Sequence, residues 1–204
     1  MNSRLRNIPV ISLALILVLA VVAYIAFSQT RPAPVEGNLT GASVGGPFTL
    51  IDETGQTVTS DTYAGQWRLM YFGFTYCPDV CPTDTAALAA GLKAFEAKEP
   101  ARAEKVQPLF VSFDTERDTP EILAEFTDHF HPRLIGLTGT PEQVQAALET
   151  FRIYASKTPG ATEGSYSYDH VAIIYLMDPD GMPVEFVVQP TAEKVEAMLL
   201  RFVA

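Results

Sequence analysis

The two cysteines of the chain, Cys77 and Cys81, lie four positions apart in the segment Cys-Pro-Asp-Val-Cys-Pro. The residues before them, 67–76, form an apolar and aromatic run that is typical of a buried central strand. The residues after them, 83–98, are rich in Ala and Leu and have the spacing of a helix. The sequence therefore predicts that both cysteines lie on a strand-to-helix turn.

A proline follows each cysteine and restricts the backbone of this turn. Pro82 suits the first turn of a helix, whereas the residue before a proline is disfavoured in the helical region. We therefore expect Cys81 to be a cap residue and the segment 77–81 to be a stiff loop. Both sulfurs would then lie near the positive end of the helix dipole, which favours a thiolate over a thiol. Such a pair is either a redox dithiol or half of a soft-metal site.

Strands and helices are predicted to alternate through the rest of the chain. In chain order, the predicted elements are a hairpin at 48–59, strands at 67–76, 106–113 and 134–138, helices at 83–98, from 119 and at 140–151, a hairpin at 171–188 and a helix at 191–202. This order predicts an α/β fold with a mixed sheet, helices on both of its faces and an N-terminal hairpin. A cysteine turn directly after the first buried strand is typical of a thioredoxin-like fold.

A third residue with relevant chemistry is His170, which precedes the apolar strand predicted from Val171. The segment before it, 156–169, is rich in Gly, Ser and Tyr, and we expect a loop there. In a thioredoxin-like fold this loop faces the cysteine turn, so one imidazole can approach two thiolates. That donor set suits monovalent copper, and it can also hold the divalent ion. Considered alone, His170 would be interpreted as a histidine at the start of a strand, satisfied by its neighbours.

The N-terminal part of the chain has the pattern of a membrane anchor. Arg4 and Arg6 precede an apolar stretch of eighteen residues, 10–27, which is long enough to cross a bilayer. The positive-inside rule then places the N-terminus in the cytoplasm and exports the rest of the chain. A cleaved signal peptide is the alternative, but the usual small-x-small cleavage pattern is not evident near 23–28. We therefore predict a retained transmembrane helix.

The composition of the remaining chain suggests two further parts. Residues 29–46 are rich in Pro and Gly and are predicted to be a linker between the anchor region, 1–28, and a thioredoxin-like copper-binding domain, 47–204. The formal net charge is −10, which excludes the electrostatic footprint of a nucleic-acid partner.

Three segments resemble those of the Sco/SenC family of copper-binding proteins. They are Phe-Thr-Tyr-Cys-Pro-Asp-Val-Cys-Pro-Thr at 74–83, Val-Ser-Phe-Asp-Thr-Glu-Arg-Asp-Thr-Pro-Glu at 111–121 and Asp-His-Val-Ala-Ile-Ile-Tyr-Leu-Met-Asp-Pro-Asp-Gly at 169–181. The resemblance implies copper ligands at Cys77, Cys81 and His170. It also implies a protein of the inner membrane, with its domain in the periplasm or an equivalent exported compartment, that assists assembly of the binuclear copper centre of cytochrome c oxidase subunit II.

Two functions remain open at this point. A metallochaperone would pass copper to a thiol-bearing partner by ligand exchange, without enzymatic turnover. A thiol-disulfide oxidoreductase would instead reduce the cysteines of a partner. Exchange enzymes usually have two residues between their cysteines, whereas three separate Cys77 from Cys81. A structural disulfide is a further alternative, but it explains neither the prolines nor the helix start. Because a disulfide would remove both sulfur ligands, the expected partners include thiol reductants or other copper carriers.

Four other polar residues have side chains that could serve such a site. His129 and His131 are interpreted as partners of a helix C-terminus, because residues two apart do not share a helix face. Asp114 and Asp118 are interpreted as loop and cap residues. The alternative for these two is an acidic surface that touches the partner protein.

Overall fold

A computed structural model describes residues 16–22, 36–160 and 162–204. The chain divides into two compact units, Met1–Pro34 and Val35–Ala204. In the first unit, residues 16–22 are helical. Within the described ranges, no helix is both long enough and apolar enough to cross a membrane. The span predicted at 10–27 lies largely outside those ranges, so the transmembrane helix stays a prediction.

The second unit is built on an eight-stranded mixed sheet with the spatial order β1-β10-β9-β4-β5-β6-β2-β3, accompanied by a separate two-stranded sheet of β7 and β8. The strands are β1 Glu36–Asn38, β2 Thr49–Asp52, β3 Thr57–Thr59, β4 Trp67–Gly73, β5 Val106–Ser112, β6 Ile135–Thr138, β7 Ala155–Pro159, β8 Tyr166–His170, β9 Ile174–Met177 and β10 Pro183–Val187. The central strands β4, β5 and β6 are parallel. The pairs β4–β9, β9–β10, β1–β10, β2–β6 and β2–β3 are antiparallel.

Five α-helices and a short 3-10 helix, Ser60–Tyr63, complete the described part of this unit. The helices are α1 Val80–Lys98, α2 Pro100–Ala103, α3 Pro120–Asp128, α4 Pro141–Thr150 and α5 Ala192–Phe202. Two of the helix starts form as their sequences predict. Thr119 accepts a hydrogen bond from the backbone of Ile122, and Thr140 forms a capping box with Gln143.

Helices cover both faces of the sheet, as predicted. Neighbouring residues of a strand point to opposite faces. Tyr71 of β4 donates a hydrogen bond to Asp84 of α1, whereas Phe72 packs against Phe151 at the end of α4. Both aromatic side chains are fully buried. The fold is therefore a thioredoxin-like mixed α/β fold.

Two regions contain more regular structure than the sequence predicts. The expected loop at 156–169 is largely the β7–β8 hairpin, in which Ala155 pairs with His170. β7 is polar, and the alternation of β8 covers only the five residues Tyr166–His170, in a segment rich in Gly and Ser, so the strand signal is weak. Likewise, β1 lies inside the predicted linker 29–46 and pairs with β10. The compact unit Val35–Ala204 therefore includes β1 and part of the predicted linker.

Candidate metal-binding site

The site lies at the edge of the sheet where β4 and β5 end. These strands are parallel and remain paired up to Gly73 and Ser112. The carboxyl ends of parallel strands meet at one edge, so the turns that follow β4 and β5 are neighbours. A backbone hydrogen bond from Phe113 to Gly73 extends this pairing by one residue. The turn after β4 carries the cysteines.

The cysteine turn is more helical than predicted. The helix α1 begins at Val80, so Cys81 lies in its first turn and is not a cap residue. Pro82 is compatible with this geometry because amides of the first turn have no intrahelical acceptor. The side chain of the N-cap residue, Asp79, makes no capping bond. Instead the amide of Cys81 donates to the sulfur of Cys77 over 3.4 Å, so this sulfur caps the helix.

The two sulfurs have different environments. Cys77 is partly exposed, whereas Cys81 is fully buried. Gly73 gives the Cys81 sulfur its space, since a Cβ at that glycine would lie 3.0 Å from it. Burial raises the pKa of the Cys81 thiol to about 12. The expectation of a thiolate at Cys81 is therefore wrong for the metal-free protein, because desolvation outweighs the attraction of the helix N-terminus.

His170 is the last residue of β8 and approaches Cys81 from the opposite side of the turn. Its Nε2 atom lies 3.6 Å from the Cys81 sulfur. The ring packs against both Phe74 and Phe113, with ring centroids 5.9 and 5.1 Å away. Burial lowers the pKa of His170, so the ring is neutral at pH 7 and a nitrogen lone pair is free. Its other nitrogen, Nδ1, is buried and makes no hydrogen bond of good geometry, although the backbone of Val171 lies close enough to oppose the lowering of the ring's pKa.

The structure thus brings together the three residues that the sequence singles out. One donor atom each from Cys77, Cys81 and His170 lie within 4.8 Å of one another. Ligands around one metal ion, at about 2.0–2.3 Å from it, are themselves separated by roughly 3.5–4 Å. The three donors are therefore close to the spacing that a single ion requires. No second cluster of this kind occurs in the part of the chain that the structure describes.

The other two histidines are engaged elsewhere. His131 is buried and its Nε2 lies 3.1 Å from Glu96. The exposed His129 contacts the carbonyl of Glu125 one turn earlier, which agrees with its interpretation as a partner of the end of α3. Neither residue belongs to the donor group.

Asp114 and Asp118, in the turn after β5, are buried and do not form an acidic surface. Asp118 accepts hydrogen bonds from the amide and hydroxyl of Thr75, at 2.9 and 2.6 Å, and so holds the chain just before Cys77. Asp114 accepts from the hydroxyl of Tyr166, in β8, at 2.8 Å. The two carboxylates are therefore loop residues, as interpreted. Asp118 binds the cysteine turn, and Asp114 binds the hairpin that carries His170. Tyr166 is a site residue that the sequence does not mark, because its partner Asp114 lies 52 positions away.

The fold and the site together define a thioredoxin-like protein with a dithiol and an imidazole arranged for a soft metal ion. The family model described as SCO1/SenC matches residues 36–202 of the chain. The protein belongs to the SCO1/SenC family, and the resemblance drawn from the sequence is confirmed.

Individual relatives agree with this assignment. Protein SenC of Rhodobacter capsulatus is 48% identical over 139 residues, which are 68% of this chain and 60% of that protein. The copper-bound crystal structure of ScoI from Arabidopsis thaliana has a TM-score of 0.72 at 36% identity, covering 78% of this chain and 96% of that one. The copper-bound ScoI of Bradyrhizobium japonicum has a TM-score of 0.67 at 40% identity, covering 78% and 99%. The matches span 42–60% of the length of the first curated relatives.

A buried carboxyl group next to the site has an unusual titration. Asp84 lies on α1, three residues after Cys81, and its carboxyl accepts a hydrogen bond from Tyr71 at 3.3 Å. Burial raises the pKa of Asp84 from its ordinary value of 3.8 to about 6. The folded protein therefore binds a proton at Asp84 more tightly than the unfolded chain. Stability from this group is fully present below pH 3.8 and is lost as the pH rises through 6.

We predict that Asp84→Asn stabilises the reduced, metal-free protein at pH 7, by on the order of 2 kcal/mol, because it removes a buried charge. The variant and the parent should converge in stability near pH 4. Urea unfolding between pH 4 and 8 measures this difference. Asp79→Asn, at an exposed position of the same turn, is the control and should not change the pH profile. A pH-independent effect of Asp84→Asn would contradict the prediction.

Proposed function

We propose that this protein is a membrane-anchored copper carrier that assists assembly of the copper centre of cytochrome c oxidase subunit II. Its copper ligands are the sulfurs of Cys77 and Cys81 and the Nε2 atom of His170. The observation that carries the proposal is the convergence of these three donors, within 4.8 Å, although 89 positions separate Cys81 from His170. A purely structural disulfide would not need a neutral imidazole beside it.

The donor set favours copper over zinc. Structural zinc sites usually have four protein ligands, and the described donor group has three. Two soft sulfurs and one imidazole suit copper. The copper-bound ScoI structures of two relatives at 36% and 40% identity support the same choice.

The unequal exposure of the two sulfurs suits transfer to a partner. Loading displaces the proton of the buried Cys81 thiol, so binding releases protons. The partly exposed Cys77 is the ligand that a partner's thiol can reach first. Copper then passes by ligand exchange, in which each sulfur of the partner replaces one donor of the carrier. Both cysteines must be reduced, so a thiol reductant maintains the carrier.

A surface for the partner surrounds the site. Within 36–204, four of the five exposed large hydrophobic side chains are Tyr76, Val80, Tyr154 and Val171. Three of them are sequence neighbours of the proposed ligands, and Tyr154 accepts a backbone hydrogen bond from Val171. We call these four residues the apolar collar. Exposed apolar side chains gathered around a site are typical of protein docking surfaces.

The anchor and the location belong to the same proposal. The apolar stretch 10–27 crosses the inner membrane once, and the domain lies in the periplasm or an equivalent exported compartment. This topology places the site on the side of the membrane where exported copper centres are assembled.

One observation favours a second function, reduction of the partner's cysteines. The amide of Cys81 donates to the sulfur of Cys77, a bond that stabilises negative charge on the more exposed sulfur. Cys77 would attack the partner's disulfide, and the buried Cys81 would then resolve the mixed disulfide. Both functions can act on one partner, since cysteines must be reduced before they accept copper.

The copper assignment predicts that His170→Ala keeps the fold and the thiol chemistry but weakens copper binding at least tenfold, because one of three donors is lost. Competition with a copper chelator under reducing conditions measures the affinity, and thermal unfolding checks the fold. His129→Ala is the matched control and should bind copper like the parent, since His129 lies outside the donor group. Equal affinity of the His170→Ala variant and the parent would exclude the proposed ligand set.

The docking surface predicts that the double substitution Val80→Ser with Tyr154→Ser slows copper transfer to the soluble domain of subunit II by about tenfold, because contact area is lost at a transient interface. Copper affinity should not change, since neither side chain is a ligand. Met182→Ser is the control, because Met182 is similarly exposed but lies near the start of β4, at the opposite edge of the sheet. Unchanged transfer in the double variant would refute the role of the apolar collar.

A further inference from the structure

Arg117, in the turn after β5, contacts both the hairpin that carries His170 and the cysteine turn. Its guanidinium carbon lies 3.7 Å from the ring centroid of Tyr166, in the hairpin that carries His170. The same carbon lies 4.8 Å from the ring centroid of Tyr76, which is adjacent to Cys77. Two hydrogen bonds fix its orientation: Nε donates to Asp114 over 2.5 Å, and Nη1 donates to the carbonyl of Tyr166 over 3.1 Å.

We propose that Arg117 is a positioning residue that holds the β7–β8 hairpin against the cysteine turn and thereby sets the distance between His170 and the two sulfurs. The proposal rests on the metal-binding role of His170 given above. Arg117 is not itself a ligand, and it acts through the hairpin.

The hairpin needs such a connection because β7 and β8 form a separate two-stranded sheet. An isolated two-stranded hairpin is at best marginally stable in water. Its placement therefore depends on side-chain contacts with the domain. Apart from Arg117, these contacts include the hydroxyl of Tyr166 on Asp114 and the ring of Tyr168 against Phe74 and Phe113.

His170 also has no hydrogen bond from a distant part of the chain to orient its ring nitrogen Nδ1. Metal-binding histidines usually donate their second ring nitrogen to a carboxylate or carbonyl, which fixes the ring. Here Nδ1 is buried without such a partner, and the polar group next to the ring is the backbone of the adjacent residue, Val171. The position of the ring therefore follows from the backbone of β8 and from packing, so a shift of the hairpin moves Nε2 directly. The anchoring of Tyr166, four residues earlier in the same strand, thus governs the reach of the imidazole.

Arginine is suited to this position for geometric reasons. Its planar guanidinium can stack on an aromatic ring and donate two hydrogen bonds in the same plane, which the ammonium of lysine cannot do. It also compensates the fully buried carboxylate of Asp114. Arg117→Lys therefore keeps the positive charge beside Asp114. It removes the planar guanidinium, and with it the stacking on Tyr166 and the two hydrogen bonds to Asp114 and Tyr166. Tyr166→Phe keeps the ring and removes only the hydroxyl that bonds Asp114.

The test is a double-substitution cycle with His170. In the parent background, Arg117→Lys should weaken copper binding about tenfold under reducing conditions. In the His170→Ala background, the same substitution should have almost no further effect on copper affinity, because the imidazole that Arg117 positions is absent. Tyr166→Phe should show the same dependence on His170 with a smaller loss. Equal losses in both backgrounds would overturn the proposal, because Arg117 would then act on the cysteines or on the fold.

A second readout needs no metal. In the reduced, metal-free protein, Arg117→Lys should increase several-fold the rate at which diethyl pyrocarbonate modifies His170, followed by mass spectrometry, because the hairpin opens. His129, which is exposed in the parent, is the internal reference and should react at an unchanged rate. An unchanged rate at His170 would overturn the proposal. If the parent itself bound no copper, the proposed function would fail, whereas this readout would still decide whether Arg117 holds the hairpin.

The control is Lys157→Gln. The ammonium of Lys157 lies 3.6 Å from the ring centroid of Tyr166 and 2.7 Å from Glu116. The side chains of Lys157 and Glu116 are 41% and 63% exposed, and ion pairs at such surface positions contribute little to stability. Copper affinity and the reactivity of His170 should therefore match the parent. A loss as large as that of Arg117→Lys would show that any contact on Tyr166 has the same effect, which would overturn the specific role of Arg117.

Discussion

The parallel pairing of β4 with β5 is the constraint on which the site depends. Because the two strands end at the same edge of the sheet, the cysteine turn and the turn of Asp114 and Asp118 become neighbours. The second turn then binds the first through Thr75 and binds the hairpin of His170 through Tyr166. The cysteine turn and the hairpin of His170, which are far apart in sequence, are thus both bound to the turn after β5. The donor group forms from ordinary sheet topology combined with two buried carboxylates.

Desolvation determines the chemistry of the donors. It keeps the imidazole of His170 neutral and the thiol of Cys81 protonated until a metal displaces the proton. The aromatic rings of Phe74 and Phe113 exclude water from one side of the imidazole, whereas Cys77 remains partly exposed on the other side of the site. A buried thiol and a half-buried imidazole beside a partly exposed sulfur can retain a soft ion and still release it to a competing thiol.

The sequence is sufficient to predict the thioredoxin-like order of elements, the location of the cysteines and the relevance of His170. Strong local signals explain this success, such as the apolar run of β4 and the Thr-Pro-Glu helix starts. The β7–β8 hairpin gives only a weak signal of this kind, because β7 is polar, β8 is five residues long and its position depends on contacts with distant residues. The same reason hides Arg117, whose partners Tyr76 and Tyr166 lie 41 and 49 positions away. Burial, which reverses the expected charge state of Cys81, is likewise a property of the assembled fold.

The most direct test of this account is the X-ray absorption spectrum of the reduced protein loaded with one equivalent of copper. The account predicts a first shell of two sulfur atoms and one nitrogen, with the outer-shell scattering that identifies the nitrogen as part of an imidazole. A first shell composed of sulfur alone, or one without imidazole scattering, would contradict the central claim that Cys77, Cys81 and His170 hold one ion together.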